Sequence, residues 1–235
     1  MHPWIEDVTL RSPSTAITVL APDPAATVVW RMTKAGESDV LVVGPRTKAD
    51  YHATKDLPVC VRLRIRPGRV SPLLGTAADH LVDRTIPLHH LCGPSAQTLA
   101  EQLTAYRETP EQAVEVLGNY LAARATDRLP GRLDLVSNAV SELTASPRVE
   151  DAAARLGVSE RYLRRVFRQA VGLSPKQFAR ITRVRSVIAQ ARRPWADTAA
   201  YAGYADQSHL IADFRALMRV TPTAYATGKV PLSTC

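Results

Sequence analysis

The sequence predicts two domains of different class: an α+β N-terminal domain, in which a small sheet is followed by helices, and an all-α C-terminal domain. A length of 235 residues allows one or two cores, and we expect two. Runs rich in Val and Thr dominate the opening, and helical periodicity takes over near residue 95. No strand pattern follows residue 131.

Short apolar runs in the first part predict three strands and then two helices. The strands are TVVWRM (27–32), VLVV (40–43) and VCVRLRI (59–65). The helices are SAQTLAEQLTAY (95–106) and TPEQAVEVLGNYLAAR (109–124). At the start of the second helix, Thr109 is the expected cap, Pro110 takes the first position, and Gln112 completes a capping pair. Strands followed by helices are typical of an α+β domain.

The predicted boundary lies at RLPGRL (128–133), where Pro130 and Gly131 interrupt one helical pattern before the next begins. Residues 1–130 hold 14 Lys and Arg against 14 Asp and Glu, whereas residues 131–235 hold 16 against 8. The whole net charge of +8 therefore belongs to residues 131–235. A basic domain beside a neutral one is typical of nucleic-acid binding, and an inert basic surface is the alternative.

The composition is that of an ordinary soluble protein, with 46% hydrophobic and 22% charged residues. No apolar run approaches the roughly 20 residues of a membrane-spanning helix, and the N-terminus lacks a secretory signal pattern. Cys60, Cys92 and Cys235 form no paired framework, which suits a reducing compartment. We therefore expect a cytoplasmic protein without disulfides and without a membrane partner.

The basic region repeats itself at a spacing of 47 residues. VFRQAVGLSPKQF (166–178) aligns with DFRALMRVTPTAY (213–225). The matched pairs are Phe167 with Phe214, Arg168 with Arg215, Pro175 with Pro222, and Phe178 with Tyr225. A short helix ending in a turn glycine, Gly157 or Gly203, precedes each copy. This order predicts two helix-turn-helix units, whose second helices enter the major groove of DNA.

The second helix of the first copy has one apolar and one basic face. Leu163, Val166, Phe167 and Ala170 recur with helical spacing and are expected to face the core. The residues left pointing outward are Arg161, Arg164, Arg165 and Arg168. A guanidinium group can bond guanine O6 and N7 together or clamp a phosphate, which an ordinary solvated face does not need. Ser159 is the expected cap of this helix, and Gly172 is expected to end it.

The two copies resemble the AraC/XylS-type transcription regulators. The matching stretches are AARLGVSERYLRRVFRQAVGLSPKQFARITRVR (153–185) and AAYAGYADQSHLIADFRALMRVTPTAY (199–225). The resemblance covers residues 133–226. It implies two consecutive helix-turn-helix units joined by a long helix over residues 175–191, with recognition helices that enter successive major grooves on one face of double-stranded DNA.

The same resemblance implies roles for individual residues. Base edges are read by Arg161, Arg164 and Arg165 in the first unit and by Gln207, Ser208 and Ile211 in the second. Phosphates are contacted by Ser159, Arg168, Arg215 and Arg219. The alternative for Gln207, Ser208 and His209 is simple capping and solvation after Asp206.

Two positions depart from the family pattern in the second unit. Arg219 stands where the family usually has Gly after the recognition helix, and Ala212 stands where Arg is often found. The outward side chains of this unit are shorter and less charged than those of the first. We also expect Asp213 to place a negative charge near the groove, which weakens this reader further.

The N-terminal domain is expected to be an effector or dimerisation module. VCVRLRIRPGRVSPLLG (59–75) and LVDRTIPLHHLCG (81–93) resemble a region fused to one AraC-type subgroup, which implies a sensing or dimerisation role. A hydrophobic or weakly anionic small-molecule effector near the strands and a homodimer through helices 95–124 are both open. The apolar stripes of these helices would serve another protein partner equally.

The three N-terminal arginines Arg62, Arg64 and Arg66 suggest an anionic-ligand site only if they share an inward face. Pro67 and Gly68 beside them are most simply a turn that ends the strand. Trp4 and Trp30 belong either to the core or to a pocket wall.

Nothing in the sequence predicts catalysis, a cofactor or a metal. His89, His90 and Cys92 form one irregular cluster, to which Cys60 adds no regular ligand spacing. No Ser-His-Asp pattern, P-loop or GxGxxG occurs. The rival hypothesis is a thiol- or metal-responsive or alkyl-transfer module that uses Cys60 or Cys92 beside the DNA-binding domain.

Overall fold

The structure, a computed structural model, describes six stretches of the chain. They are residues 2–10, 17–54, 57–125, 130–146, 148–190 and 194–231. In the described stretches, six strands open the first part and are followed by helices with one further short strand, and from residue 130 onward these stretches contain helices without strands. The predicted fold class is thereby confirmed. The division into domains at residue 130 stays a prediction, and the first two residues of RLPGRL, Arg128 and Leu129, lie outside the described residues.

Two antiparallel sheets form the first part. Their strands are β1 (Ile5–Leu10), β2 (Ile17–Leu20), β3 (Thr27–Met32), β4 (Ser38–Val43), β5 (Asp50–Ala53), β6 (Val59–Ile65) and β7 (Thr85–Pro87). A large sheet has the order β1-β6-β3-β4-β7, and β2 pairs with β5 in a separate small sheet. The three predicted strands are therefore confirmed as β3, β4 and β6.

Four helices belong to this part, together with two short 3-10 helices. They are α1 (Val70–Leu74), α2 (Leu88–Cys92), α3 (Pro94–Leu103) and α4 (Pro110–Arg124), with 3-10 turns at Ala78–Leu81 and Thr104–Tyr106. Burial alternates strictly along β6, so that every second residue of that strand enters the core. Leu99 and Leu103 of α3 and Leu117 and Leu121 of α4 are buried in the same core. The apolar stripes of these helices thus lie in the first core.

Trp30 belongs to the core and not to a pocket wall. Its side chain is fully buried in the first core, and its indole N–H donates to Ser38 Oγ at 2.9 Å. Trp4 is partly buried at the edge of the same core, where the Arg69 guanidinium lies 5.1 Å from its ring centroid. Gly68, with φ of 89°, forms the turn that the sequence predicts after β6.

Helix α4 begins at Pro110 as predicted, but the predicted capping pair at its start is wrong. Thr109 accepts no backbone hydrogen bond through its side chain. Its hydroxyl instead donates to Gln112 Oε1 at 3.5 Å, and the Thr109 carbonyl accepts from Gln112 N at 3.0 Å. Thr109 has an extended φ of −133° with ψ of 63°, outside the usual cap geometry.

Seven helices make up the rest of the described chain. They are α5 (Pro130–Ala145), α6 (Val149–Arg155), α7 (Glu160–Val171), α8 (Pro175–Ala189), α9 (Trp195–Tyr201), α10 (Gln207–Met218) and α11 (Pro222–Ala226). Helices α7 and α10 each contain 12 residues and begin 47 residues apart. The predicted long connecting helix is α8. None of the described helices is both long and apolar enough to cross a membrane.

The described residues form three hydrophobic cores. The first contains buried residues from Ile5 to Leu121, and the second contains residues from Val136 to Phe178 on α5 to α8. The third lies among α8, α9 and α10, and it also includes Ala49 and Tyr51 from the start of the chain. One of the three cores therefore combines residues from both sides of residue 130.

Candidate nucleic-acid interface

The first helix-turn-helix unit consists of α6, a turn at Gly157 and the recognition helix α7. Ser159 caps α7, since its Oγ accepts from Tyr162 N at 3.3 Å. Gly172 ends α7 with φ of 88°, in the left-handed region that favours glycine. Ser174 and Gln177 then form a capping box at the start of α8. The local structure that the sequence predicts around α7 is confirmed.

The second unit, formed by α9, a turn at Gly203 and the recognition helix α10, repeats this frame. Asp206 caps α10 by accepting from His209 N at 2.7 Å. Arg219, aligned with Gly172, ends α10 in the same left-handed region with φ of 63°. Thr221 caps α11 by accepting from Ala224 N at 3.2 Å. Both recognition helices therefore begin and end at equivalent positions.

An aromatic pair lies behind each recognition helix. The rings of Phe167 and Phe178 meet edge to face with centroids 5.3 Å apart, and those of Phe214 and Tyr225 with centroids 5.8 Å apart. Both distances lie within the range of favourable edge-to-face contacts. The two units thus share the packing that orients the recognition helix against the following helix.

The outer face of α7 carries four exposed arginines. They are Arg161, Arg164, Arg165 and Arg168. The opposite face, with Leu163, Val166 and Phe167, is buried in the second core as predicted. This separation leaves the guanidinium groups free of the core and able to meet an external anion.

Two of these arginines have partners within the unit. Arg164 Nη2 lies 2.7 Å from Glu160 Oε2 and 3.9 Å from Glu150 Oε1. The guanidinium of Arg165 lies over the Tyr162 ring, 5.4 Å from its centroid. Ion pairs between exposed groups contribute little to stability, so DNA can replace Glu160 as the partner of Arg164 at small cost.

The outer face of α10 is less charged. Gln207 and Ser208 are exposed in the first turn, next to the capping residue Asp206. Ile211 is only partly exposed, since it packs at the edge of the third core. This face therefore presents short polar groups and part of one apolar side chain for contact with a base edge.

Asp213 does not face the groove, and the expectation that it places a negative charge there is wrong. The residue is buried, and its Oδ1 accepts from Arg180 Nη2 at 2.7 Å and from Arg180 Nε at 3.0 Å. Arg183 Nη2 lies 3.5 Å from its Oδ2. Asp213 therefore joins α10 to α8, and its charge is offset by two arginines.

The residues expected at phosphates lie at the ends of the recognition helices. Arg168 and Arg215 are exposed at equivalent positions in the last turns of α7 and α10, and Arg219 is exposed one turn after Arg215. Ser159 is exposed but uses one hydroxyl lone pair for capping, which leaves its O–H available as a donor. Their roles toward DNA stay predictions.

The N-terminal arginines do not form the shared inward face that an anionic-ligand site requires. Arg62 and Arg64 lie on the face of β6 that points away from the core. Arg64 donates to both carboxylate oxygens of Asp23, at 2.7 and 3.1 Å, and also pairs with Glu6. The charge of Arg64 is therefore offset by two carboxylates.

The thiols and histidines show no reactive arrangement. Neither Cys60 nor Cys92 forms a disulfide within the described part of the chain, and both are half-buried, while Cys235 lies outside the described residues. Burial raises the pKa of Cys92, which disfavours the nucleophilic thiolate. Within the described ranges, no three His, Cys, Asp or Glu side chains come together as metal ligands. The alkyl-transfer or thiol-responsive hypothesis gains no support.

A groove of about 670 Å³ opens between β1 and α4. Its floor is apolar, with Ile5, Val8, Leu10 and Val114, and its rim carries His2, Pro3, Glu111, Glu115 and Asn119. His2 of the lining lies against Gly118, where a Cβ would be 2.8 Å from His2 Cδ2. No local pattern in the sequence indicates this groove, because its two walls are about a hundred residues apart in the chain.

Comparison with known proteins identifies a known type of domain in the C-terminal part of the chain. Residues 152–228, which span α6 to α11, match the family model of a helix-turn-helix domain. No curated protein matches the chain.

Solved structures of low identity resemble the chain. The C-terminal domain of AraT, a response regulator from Geobacillus stearothermophilus, is 22% identical with a TM-score of 0.39, and the match covers 43% of this chain and 88% of that one. ToxT from Vibrio cholerae O395 is 13% identical with a TM-score of 0.45, covering 94% and 96%. ToxT from strain SCE256 with a bound unsaturated fatty acid is 14% identical with a TM-score of 0.43, covering 100% of both chains.

Proposed function

We propose that the chain is a sequence-specific DNA-binding transcription regulator of the AraC type, because residues 152–228 match the family model of a helix-turn-helix domain. The observation that carries the proposal is the outer face of α7, where four exposed arginines lie opposite a buried apolar face. A helix of this kind fits the major groove and can meet both bases and phosphates. The concentration of the net charge in residues 131–235 supports it.

Within this function, the two units divide the reading of DNA unequally. Arg161, Arg164 and Arg165 offer charged forks to guanine, and they make the first unit the stronger reader. Gln207 and Ser208 offer shorter hydrogen-bonding groups, and Ile211 offers apolar contact for a thymine methyl. Ser159, Arg168, Arg215 and Arg219 fix the register on the phosphates.

Selection of bound sequences from random duplex DNA with the full chain tests this proposal. We expect two half-sites about 10 base pairs apart, since one helical turn separates successive major grooves on one face. The first half-site should be the more strictly defined of the two. Recovery of no common sequence, with affinity that is also independent of salt, would exclude the proposal, because each phosphate contact adds about −0.9 to the slope of log K against log salt.

The N-terminal region serves in this proposal as an effector module, and the groove between β1 and α4 is its binding site. An apolar floor favours a hydrophobic ligand. Glu111 and Glu115 lie on the rim, and among the residues that the structure describes the lining includes no Lys or Arg. A neutral or cationic amphiphile therefore fits better than the weakly anionic ligand that the sequence suggested.

Self-association through residues 95–124 remains a prediction of weaker support. Leu99, Leu103, Leu117 and Leu121, which form much of the predicted apolar surface, are buried in the first core. A homodimer through these helices would have to use their outer faces. Sedimentation of the full chain over a range of concentrations tests it, and a single monomeric species at high concentration would exclude it.

A further inference from the structure

The core of the second helix-turn-helix unit contains residues of the N-terminal region. In the third core, Ala49 and Tyr51 are the fully buried residues that come from outside residues 184–218. Val19 and Ala21 pack at its edge. By contrast, among the described residues, the fully buried members of the second core, which belongs to the first unit, lie between Val136 and Phe178. The N-terminal region contacts this unit outside that core, where the 3-10 helix Ala78–Leu81 lies against α7. The two units are thus completed in different ways.

We propose that the small sheet of β2 and β5 is a structural part of the second unit, and that Tyr51 is a positioning residue that holds recognition helix α10 for DNA reading. The structural half of this proposal, that the small sheet is part of the second unit, is argued from contacts within the chain. The DNA half, that Tyr51 positions α10 for DNA reading, rests on the proposed function. In this proposal, the second helix-turn-helix unit is built from two segments that are distant in the sequence.

The first support for the proposal lies at the end of α10. The last carbonyls of a helix have no partner within it and need donors from elsewhere. Ala49 N donates to Leu217 O at 2.8 Å, and Tyr51 Oη donates to Met218 O at 2.6 Å. Burial raises the pKa of Tyr51 to about 12, so its hydroxyl stays protonated and keeps donating at neutral pH.

The second support is an ion pair on the connecting helix. Arg185 Nη1 of α8 lies 3.0 Å from Asp23 Oδ2 and donates to Pro22 O at 3.3 Å. Asp23 is buried, which by itself raises its pKa, but its contacts with Arg64 and Arg185 outweigh burial and lower that pKa overall. Asp23 thereby ties α8 to β6 of the large sheet through Arg64.

These contacts fix both helices on which the second reader depends. Tyr51 and Ala49 hold the end of α10, and Asp23 holds α8. The first unit obtains its support from Val136, Ala139 and Leu143 of α5 and from the 3-10 helix Ala78–Leu81, and neither of these belongs to the small sheet. Weakening the small sheet should therefore loosen α10 and leave α7 in place.

Hydrogen exchange of the full chain, without DNA, tests the structural half. Tyr51→Phe keeps the buried ring and removes the hydroxyl that donates to Met218 O. We expect amide exchange in α10 and α11 to accelerate by about fivefold or more, since a buried carbonyl loses its partner, while exchange in α7 stays within about twofold. Tyr51→Ala should enlarge the same selective effect.

Tyr120→Phe is the matched control. Its hydroxyl lies 2.9 Å from Ser95 Oγ in the N-terminal region, away from α10. This variant should leave exchange in α10 unchanged. Equal acceleration in α7 and α10, or no acceleration in α10 with Tyr51→Phe, would overturn the structural half even if Tyr51→Ala does not fold.

Binding to two duplexes tests the DNA half. One carries both selected half-sites and the other carries the first half-site with a scrambled second. Tyr51→Phe should reduce affinity for the complete site by about fivefold, in step with the exchange, and leave affinity for the single half-site within about twofold. Equal losses on both duplexes would overturn the positioning role. If no chain binds either duplex specifically while exchange is still selective for α10, the proposed function fails and the structural half stands.

Discussion

Arg180 and Asp213 join the connecting helix to the second recognition helix, with Arg180 Nη2 2.7 Å and Arg180 Nε 3.0 Å from Asp213 Oδ1. Arg183 adds a longer contact of 3.5 Å to Asp213 Oδ2. Since α8 also packs against α5 and α7 of the first unit, this ion pair relates the orientation of α10 to that of α7. Such coupling decides whether two recognition helices can enter successive grooves together.

Asp213→Ala should destabilise the protein. The change leaves Arg180 and Arg183 close together without their shared partner. Breaking a fully buried pair costs about 3 to 5 kcal/mol, and because both arginines are partly exposed we expect about 1 to 3 kcal/mol here. Urea denaturation measures the loss. Asp197→Ala, at an exposed site in α9, is the control and should change the free energy of unfolding by less than about 0.5 kcal/mol. Similar effects of both substitutions would contradict a structural role for Asp213.

The burial of Asp213 could be predicted from the sequence, although its charge argues for an exposed position. Asp213 aligns with Val166 at the spacing of 47, and Val166 faces the core in the first unit. Leu210, Asp213 and Phe214 follow the spacing of a buried helix face. The helical position therefore decides where the side chain lies, and Arg180, one turn into α8, supplies the compensation.

What the sequence predicts best are features set by neighbours along the chain. The strands β3 and β6, the caps of α7 and α8, and the left-handed end of α7 at Gly172 follow from local patterns. Strand β5, with the residues DYHA, is too short and polar to show alternation. The bond from Tyr51 to Met218 joins residues 167 positions apart. No local pattern encodes a contact of that range.

Arg164 and Arg165 should act differently from Arg168 in DNA binding. Replacing Arg164 or Arg165 by Ala should relax sequence preference at one base position, at a cost of about 1 to 3 kcal/mol. Arg168→Ala should weaken binding to all duplexes alike and reduce the magnitude of the salt slope by about 1. Titration of selected and scrambled duplexes at several salt concentrations measures both effects.

Arg107→Ala is the control for these substitutions. Arg107 is exposed in the N-terminal region and pairs with its neighbour Glu108 at 3.0 Å. Its removal should leave both sequence preference and the salt slope unchanged. If all three variants of α7 lose affinity equally on every duplex, the division into base-reading and phosphate-contacting arginines is wrong.

The groove between β1 and α4 should distinguish ligands by charge. An alkyl trimethylammonium should raise the melting temperature of the full chain more than the alkyl carboxylate of the same chain length, both below their micellar concentrations. The carboxylates of Glu111 and Glu115 attract the cation and repel the anion. Differential scanning fluorimetry measures the shifts.

The double variant Glu111→Gln with Glu115→Gln distinguishes the contribution of the charged rim to ligand binding from that of the apolar floor. It should remove the preference for the cation and retain binding of a neutral alcohol of equal length, because the apolar floor is unchanged. Stronger stabilisation by the carboxylate in the unmodified chain would show that the groove does not select ligands as proposed.

Arg219→Gly should stabilise the free protein. Arg219 adopts φ of 63°, which costs a non-glycine residue strain that glycine avoids, and the greater flexibility of glycine in the unfolded chain offsets part of this gain. We expect a net gain of about 0.5 to 1 kcal/mol, or about 1 to 3 °C in melting temperature for a chain of this size. Calorimetry measures the shift. The reverse change in the first unit, Gly172→Ala, is the control and should be strongly destabilising, since a Cβ there would also lie 2.7 Å from Ala78 O.

The same variant tests the expected phosphate contact of Arg219. If Arg219 binds a phosphate, Arg219→Gly weakens binding to all duplexes and reduces the magnitude of the salt slope by about 1, although the free protein is more stable. Stability and affinity then move in opposite directions, which no general loosening of the fold produces. Greater stability with unchanged affinity would remove Arg219 from the phosphate contacts. A less stable free protein would mean that the Arg219 side chain stabilises the end of α10 by more than its backbone strain costs, and the departure from glycine would then be structural in origin.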